Sequence, residues 1–181
     1  MREDIEKELI KLQGIPYVTQ ETISSLLARL EAKPLVLRDE GTTDHFCSFF
    51  IPFDKEKNQL YLIHHRKANS WMPPGGHIDK NESSVDAVRR EYREELGEKL
   101  TDEPIQLFNT SILQIKPQRP TCITHNDLWY VVFVKKHEYT FDDREAFNAG
   151  WFFIDDAIEK VKDVPLFKEI LKTLPQFLET V

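Results

Sequence analysis

Residues 71–98 constrain the chain more than any other part, because they place a glutamate-rich helix directly after a turn. Their sequence is WMPPGGHIDKNESSVDAVRREYREELGE. Two prolines and two glycines interrupt regular structure at its start and let the backbone approach other groups closely. Polar residues at 81–84 can cap a helix running from about Ser83 to Leu96, and Gly97 is placed to end it.

Two faces of this predicted helix carry different chemistry. The apolar face consists of Val85, Val88, Tyr92 and Leu96. A second face carries Glu91, Glu94 and Glu95 within about one helical turn, and like charges at this spacing destabilise a bare helix by roughly a few tenths of a kcal/mol per pair. A bound cation would offset that repulsion. Hard carboxylate oxygens favour Mg²⁺ or Mn²⁺, and Arg90 can orient the cluster by forking onto a carboxylate.

An acidic helix face is often only a solvated surface with arginine partners, so the full spacing decides the interpretation. Every fixed position of the pattern G-x5-E-x7-R-E-U-x-E-E-x-G-U is filled, by Gly76, Glu82, Arg90, Glu91, Glu94, Glu95 and Gly97. From about residue 45 to 160 the chain therefore resembles the Nudix hydrolases. The U positions, normally aliphatic, hold Tyr92 and Glu98. Tyr92 still lies on the apolar face, and Leu100 can fill the apolar place that Glu98 leaves.

The resemblance implies an α+β fold, a Nudix-type α/β/α sandwich with a mixed β-sheet. The residue pattern predicts strands near 45–53, 59–66, 104–115, 127–136 and 150–154, with a proline-rich connection at 116–121. It predicts extra helices at both ends, the first two stopping at Gly14 and Pro34 and the last two covering 155–161 and 165–181. We expect residues 1–35 to form a helical extension and residues 36–181 to form the Nudix domain.

The resemblance also implies hydrolysis of the diphosphate linkage in a nucleoside diphosphate derivative, with Mg²⁺ as cofactor and Mn²⁺ able to substitute. By position, the expected metal ligands are the Gly75 carbonyl and the carboxylates of Glu91, Glu94 and Glu95. Arg90 would orient this glutamate face, and Glu82 would close the preceding loop onto it. A His77–glutamate metal trio is a further possibility, although oxygen-rich ligands favour Mg²⁺ over zinc.

Two positions compete for the general base that activates water. One is Glu91 itself. The other is the acidic loop DDREAFNAGW, in which Glu145 stands before Trp151 and where Asp142 and Asp143 offer alternatives. The same loop is also explained as an exposed acidic turn.

Three further residues are candidates for substrate binding. Strand alternation places His125 and Asp127 on one face, where they can read a base or ribose or simply satisfy each other. Arg66 ends the strand before the metal loop and can meet phosphate or remain a solvated basic strand end.

The composition of the chain limits the classes of molecule that it is expected to bind and the compartment in which it is expected to work. The chain has 24 Lys+Arg and 31 Asp+Glu, a net charge of −7, which argues against a broad nucleic-acid footprint. No apolar stretch is long enough for a membrane span, and the charged N-terminus lacks a signal-peptide core. Cys47 and Cys122 stand in apolar runs without a CxxC motif, which indicates buried thiols in a reducing cytoplasm. We expect a cytoplasmic enzyme acting on a small nucleotide-type molecule, with N-terminal helices that either cover the sheet or form a homodimer.

Two other functions share the fold that the resemblance implies. A nucleotide-binding sensor would normally lose a metal carboxylate, and a non-hydrolytic prenyl-diphosphate isomerase would carry a degenerate box. The intact carboxylates favour hydrolysis over both. Among substrates, a nucleoside triphosphate is the first choice and a nucleotide sugar the second, because the box specifies only metal and diphosphate.

Overall fold

A computed structural model describes residues 2–33, 35–119 and 121–181, with only the backbone of residues 116–119. The helices are α1 (Arg2–Lys11), α2 (Gln20–Ala32), α3 (Ser84–Leu96), α4 (Ile154–Lys160) and α5 (Pro165–Leu178). The strands are β1 (Asp44–Asp54), β2 (Gln59–His65), β3 (Ser70–Met72), β4 (Gly75–His77), β5 (Ile105–Arg119), β6 (Cys122–Phe133) and β7 (Ala146–Phe153). None of the helices in the described ranges has both the length and the apolar character needed to cross a bilayer.

The sheet is mixed and is organised around β1. The main path runs β3-β2-β1-β6-β5, with β4 paired to β1 and β7 paired to β2. β6 lies parallel to β1, whereas β2 and β4 are antiparallel to it. β4 pairs with the first half of β1, where Cys47 lies opposite His77. β2 pairs with the end of β1, where Phe53 lies opposite Leu60. β4 therefore holds the chain that leads into α3 beside the first half of β1.

Helices cover both faces of this sheet. On one face, the Tyr92 ring of α3 stacks on Phe50 at 5.5 Å. On the other face, Phe167 of α5 packs against Phe49 at 5.7 Å and Trp129 at 5.4 Å. Neighbouring residues of a strand point to opposite faces, so Phe49 packs toward α5 and Phe50 packs toward α3. The result is the α/β/α sandwich that the resemblance implied.

The N-terminal helices join the same hydrophobic core. Ile5, Leu9, Leu26 and Leu30 are all buried within it. Arg29 of α2 places its guanidinium over the Phe46 ring at 5.5 Å and donates to the backbone carbonyls of Leu35 and Asp44. Helices α1 and α2 therefore pack on the sheet, while their domain boundary and any dimer remain predictions.

α3 has the ends that the sequence predicts. Ser83 is its N-cap and accepts from the Asp86 N–H, while the Asp86 carboxylate accepts from the Ser83 N–H, which completes a capping box. Gly97 ends the helix with a φ of 74°, and a β-carbon there would crowd the Thr140 carbonyl at 2.6 Å. This site requires glycine both for its left-handed backbone and for the close approach.

Several predicted boundaries were wrong. α1 ends at Lys11, and Gly14 lies in the following turn with a positive φ. The expected connection at 116–121 is largely strand backbone, because β5 continues to Arg119, which pairs with Cys122; Pro120 lies outside the described residues, as does Pro34. β7 begins before the predicted position, and the three-residue strands β3 and β4 were not predicted at all.

Candidate active site

Arg90 joins the loop before α3 to the glutamate face of that helix. Its Nε and Nη2 donate to the two carboxylate oxygens of Glu82 at 3.1 and 2.8 Å. Nη2 also donates to the His77 carbonyl at 2.8 Å, and Nη1 donates to Glu91 Oε1 at 2.7 Å and Glu94 Oε2 at 3.3 Å. Burial disfavours the guanidinium charge, but the hydrogen bonds that Arg90 donates to Glu82 and Glu91 outweigh this effect and raise the pKa of Arg90. One permanently charged side chain thus orients three carboxylates.

Glu82 also contacts the backbone of the loop that precedes α3. Its Oε1 accepts from the Asp79 N–H at 2.7 Å in addition to the Arg90 contacts. The Glu82 side chain is 15% exposed, whereas the Glu94 side chain is 50% exposed. Both carboxylate oxygens of Glu82 are therefore occupied by contacts within the loop and with Arg90, whereas the carboxylate of Glu94 is accessible from solvent.

Glu95 is buried beneath this surface. Its Oε2 accepts from the Gly75 N–H at 2.8 Å, which ties the centre of α3 to β4. Burial, and then the negative charge of Glu91, raises the pKa of Glu95 well above its usual range. Burial also raises the pKa of Glu91, although Arg90 opposes that shift. Buried Glu95 and its partly buried neighbour Glu91 therefore lack a full complement of positive charge.

The backbone of β4 packs closely against its neighbours at both of its glycines. A β-carbon on Gly76 would overlap the Glu91 carboxylate, and a β-carbon on Gly75 would overlap the Ser48 carbonyl of β1. Gly75 also has a φ of 141°, which side-chain-bearing residues rarely adopt. The glycines thus bring the backbone of β4 against both carboxylates.

This donor set fits a hard divalent cation. Oxygen donors lie beside one another on α3 and β4, on the side chains of Glu91, Glu94 and Glu95 and on the backbone of Gly75. A nearby cation would lower the raised pKa values of Glu91 and Glu95. In this structure Arg90 takes the place of part of that charge on Glu91 and Glu94. The described residues form groups in which all potential metal-binding atoms lie within 4.8 Å of one another, but none of these groups contains a glutamate. The oxygens of Glu91, Glu94 and Glu95 would therefore have to move closer together to bind one ion.

The acidic loop before β7 lies next to this glutamate face. The Asp142 N–H donates to the Glu95 carbonyl at 3.1 Å, and the charge of Glu145 contributes to the raised pKa of Glu95. Glu145 accepts from Lys67 Nζ at 2.9 and 3.1 Å, and its side chain is 36% exposed. The Asp142 carboxylate instead binds Arg144, which lowers the pKa of Asp142 to about 2. Of these two carboxylates, Glu145 is the one that interacts with Glu95.

Arg66 helps to hold the same loop. Its backbone N–H donates to the Glu145 carbonyl at 2.7 Å, and its Nε donates to the Asp143 carbonyl at 2.5 Å. Its guanidinium lies over the ring of Phe147 at 4.3 Å, and Phe147 is 51% exposed. Sequence reasoning proposed Arg66 for substrate but missed Phe147, which the pattern of β7 alone does not distinguish from a core residue.

His125 and Asp127 lie on one strand face, as alternation predicted, but not with the glutamates. Asp127 is fully buried and accepts from Ser111 Oγ at 2.9 Å, while burial raises its pKa to about 7. His125 Nε2 lies 2.7 Å from Cys122 Sγ. The His77 imidazole belongs to the same group, so the His77–glutamate trio does not form.

Both cysteines are buried and neither forms a disulfide, in agreement with the sequence. Sequence reasoning nevertheless missed what surrounds Cys122. Its Sγ lies 3.6 Å from His45 Nε2 and 3.8 Å from His77 Nε2, in addition to the His125 contact. The available signal was a cysteine three residues before a histidine on β6, and only the sheet pairing brings the other histidines to it.

The departures from the box pattern are accommodated as expected. Tyr92 is buried on the apolar face and its hydroxyl contacts that of Tyr139 at 2.5 Å. Glu98 instead faces the surface and pairs with His137 at 2.8 Å, while Leu100 packs against the core.

Comparisons with known proteins agree with this fold and with the sequence pattern. The family model described as NUDIX domain matches residues 45–174. An RNA pyrophosphohydrolase of Ruthia magnifica subsp. Calyptogena magnifica is 30% identical over 148 residues, covering 71% of this chain and 80% of that protein. Another, from Shewanella frigidimarina (strain NCIMB 400), is 26% identical over 124 residues, covering 58% of this chain and 69% of that protein.

Solved structures show the same fold at low sequence identity. The E. coli dihydroneopterin triphosphate pyrophosphohydrolase superimposes with a TM-score of 0.64 at 14% identity, covering 75% of this chain and 96% of that one. A C. elegans Ap4A hydrolase superimposes with a TM-score of 0.61 at 19% identity, covering 75% and 98%. With its complete box and its α/β/α sandwich, the chain belongs to the NUDIX family, whose hydrolases act on pyrophosphate bonds.

Proposed function

We propose that this chain uses Mg²⁺ to hydrolyse a pyrophosphate bond in the 5′-polyphosphate of a nucleotide. The proposal rests on the buried carboxylate of Glu95 and the partly buried carboxylate of Glu91, which Gly75 and Arg90 hold beside the exposed carboxylate of Glu94. Glu91, Glu94, Glu95 and the Gly75 carbonyl are the proposed metal ligands. Mn²⁺ has similar ligand preferences and is expected to substitute.

The bound cation would neutralise phosphate oxygens and lower the pKa of a bound water. The chain supplies the remaining work. Arg90 keeps the glutamate face in one orientation, and Glu145 accepts a proton from the attacking water as the bond to the bridging oxygen breaks. Both carboxylates accept hydrogen bonds from a cation, Glu91 from Arg90 and Glu145 from Lys67. Glu145 is the better candidate base, because Glu91 is more buried and is already assigned as a metal ligand, whereas Glu145 and Lys67 are both accessible to solvent.

Phe147 and Arg66 are the proposed binding surface for the nucleotide base. Phe147 follows Glu145 by two residues, is half exposed and carries the guanidinium of Arg66 over its ring. An exposed aromatic ring beside an arginine is a surface on which bases stack irrespective of sequence. His125 and Asp127 do not contribute to this surface in the proposal, since Asp127 is fully buried.

The polyphosphate belongs either to a free nucleoside triphosphate or to the 5′ end of an RNA. The net charge of −7 favours the small molecule. The names of the two relatives, both RNA pyrophosphohydrolases, favour the RNA end. One exposed stacking ring accommodates a single terminal nucleotide of either substrate, so the catalytic site is the same in both cases.

Replacing Glu95 by Gln should uncouple stability from activity. Without metal at pH 8, we expect a gain in the free energy of unfolding on the order of 1 kcal/mol, or about 3 °C in Tm, because burial disfavours the ionised carboxylate of Glu95 and glutamine is uncharged at every pH. Mg²⁺-dependent turnover should fall by about a hundredfold, because one metal ligand is lost. Thermal unfolding in EDTA and a phosphate-release assay measure the two effects.

Glu98→Gln is the matched control, since Glu98 is an exposed glutamate just beyond the same helix and pairs only with His137 among the described residues. Both of its readouts should stay near wild type. Turnover of Glu95→Gln within about threefold of wild type would show that the assigned metal face is wrong.

Replacing Glu145 by Gln tests whether Glu145 is the general base. We expect kcat to fall by about a hundredfold while the affinity for Mn²⁺ changes little, because proton transfer is lost and the proposed ligands remain.

A comparison of substrates tests the substrate class. The substrates to compare are nucleoside triphosphates, a dinucleoside tetraphosphate, a nucleotide sugar and an RNA oligonucleotide with a 5′-triphosphate. Triphosphate ends should be cleaved fastest.

Asp143→Asn is the matched variant in the same loop. Loss of kcat in Asp143→Asn with an active Glu145→Gln enzyme would transfer the role to Asp143, and two active variants would return it to Glu91. If the nucleotide sugar were cleaved fastest, the proposed substrate class would be wrong.

Replacing Phe147 by Ala should raise KM by about tenfold with little change in kcat, because a stacking contact is lost and the metal face is untouched. Phe153→Ala is the control, since Phe153 lies on the same strand and is exposed to a similar extent, 53% against 51%. Steady-state kinetics on the best substrate distinguish them. Equal effects of the two substitutions would exclude Phe147 as a specific base contact.

A further inference from the structure

A second cluster of metal-binding side chains includes His77 of β4 and contains no glutamate. It combines His45 of β1, His77 of β4, and Cys122 and His125 of β6. One donor atom from each residue lies within 4.8 Å of the other three. Imidazole nitrogen and thiolate sulfur are ligands for zinc and related transition metals, whereas Mg²⁺ prefers oxygen. From this geometry we infer that the chain holds a zinc ion on these residues, separate from the Mg²⁺ face.

The distances agree with a four-coordinate site. In tetrahedral zinc coordination, a bound sulfur and a bound imidazole nitrogen lie about 3.6 Å apart. Cys122 Sγ is 3.6 Å from His45 Nε2 and 3.8 Å from His77 Nε2. Of the three sulfur–nitrogen distances, the one to His125 Nε2, at 2.7 Å, has to lengthen by about 0.9 Å to admit the ion.

The sheet registration explains why the donors meet. β1 and β6 run parallel with His45 opposite His125, while β4 places His77 opposite Cys47. The three imidazole rings consequently have centroids 4.7 to 5.2 Å apart. Donors on three strands of one sheet are held by backbone pairing, so the site is largely formed before metal arrives.

Groups around the cluster orient His45 for metal binding. Its Nδ1 donates to the Thr42 carbonyl at 3.1 Å, which leaves the lone pair of Nε2 directed at the cluster. His77 is different, because Arg38 Nη1 donates to its Nδ1 at 3.1 Å. Coordination through His77 Nε2 therefore requires Arg38, whose side chain is 42% exposed, to turn toward solvent. His45, Cys122 and His125 form the core of the site, and His77 completes it.

Asp127 gives an independent indication of missing positive charge. It is fully buried, and its Oδ1 has no hydrogen-bond partner among the described residues. Its ligand oxygen also lies within 4.8 Å of donor atoms on His125 and Cys47. An unsatisfied buried carboxylate oxygen is costly. Together with the Cys122 thiolate, the Asp127 carboxylate can balance the two charges of zinc.

Zinc at this position would fasten β4 to β1 and β6. The His77 ring would be a ligand, while the His77 carbonyl already accepts from Arg90 and the preceding glycines contact Glu91 and Glu95. The ion would therefore stabilise the strand that supports the catalytic face without taking part in the hydrolysis.

The full-length chain, stripped of metal, tests this proposal with Zn²⁺ and Co²⁺ as probes. Zn²⁺ should bind with one equivalent per chain in the presence of excess Mg²⁺, and it should raise Tm because it binds only the folded state. Co²⁺ in the same site should show a thiolate-to-cobalt charge-transfer band and a tetrahedral visible spectrum. Failure of the wild-type chain to retain either metal in excess Mg²⁺ would overturn the proposal.

Cys122→Ser and Cys47→Ser are matched thiol variants. The charge-transfer band should disappear in Cys122→Ser, with zinc affinity reduced by about a hundredfold, and persist in Cys47→Ser. A band that persists in Cys122→Ser, or that disappears only in Cys47→Ser, would contradict the assigned ligand set.

His77→Gln extends the test to a partly exposed ligand in case Cys122→Ser does not fold. It should weaken zinc binding by about tenfold or more, whereas His64→Gln, an imidazole outside the cluster, should leave binding unchanged. Equal zinc affinities of His77→Gln and wild type would exclude His77. Glu95→Gln should bind zinc as wild type does, and loss of zinc in that variant would mean that the ion sits on the glutamate face.

Discussion

The glutamate face of α3 depends on the hydrogen bonds that the guanidinium of Arg90 donates. It contacts Glu82 in the loop, Glu91 and Glu94 on the helix, and the His77 carbonyl of β4. Without this cation, the carboxylates of α3 would repel one another and the loop would lose its attachment to the helix. Arg90 is multiply hydrogen-bonded and always charged, so it can keep the acidic face assembled before any metal binds.

The second constraint is the close approach of β4 to its neighbours. Gly75 and Gly76 allow the strand to lie against β1 on one side and the Glu91 carboxylate on the other. β4 in turn contacts two different groups of side chains. Its glycines contact Glu91 and Glu95, and the His77 ring lies beside His45, Cys122 and His125. In our account, one three-residue strand therefore supports two different metal environments, one of oxygen donors and one of nitrogen and sulfur donors.

The helix and the glutamate face were predictable from the sequence because they depend on local spacing. The cap at Ser83, the end at Gly97 and the Arg90–Glu82 contacts all follow from residues within one segment. The histidine cluster was not predictable in this way. His45 and His125 are far apart in the chain and meet only because β1 and β6 pair in parallel. Likewise, alternation placed Asp127 on the correct strand face but could not reveal its complete burial or its unsatisfied oxygen.

We propose two cation sites next to β4, one with oxygen ligands and one with histidine and cysteine ligands. Anomalous diffraction from crystals of the wild-type chain soaked with Mn²⁺ and Zn²⁺, with data collected at the absorption edge of each metal, locates both ions. We expect a manganese peak against Glu91, Glu94 and Glu95 and a zinc peak against His45, Cys122 and His125. Both metals at one of these positions, or no zinc peak near Cys122, would contradict this assignment.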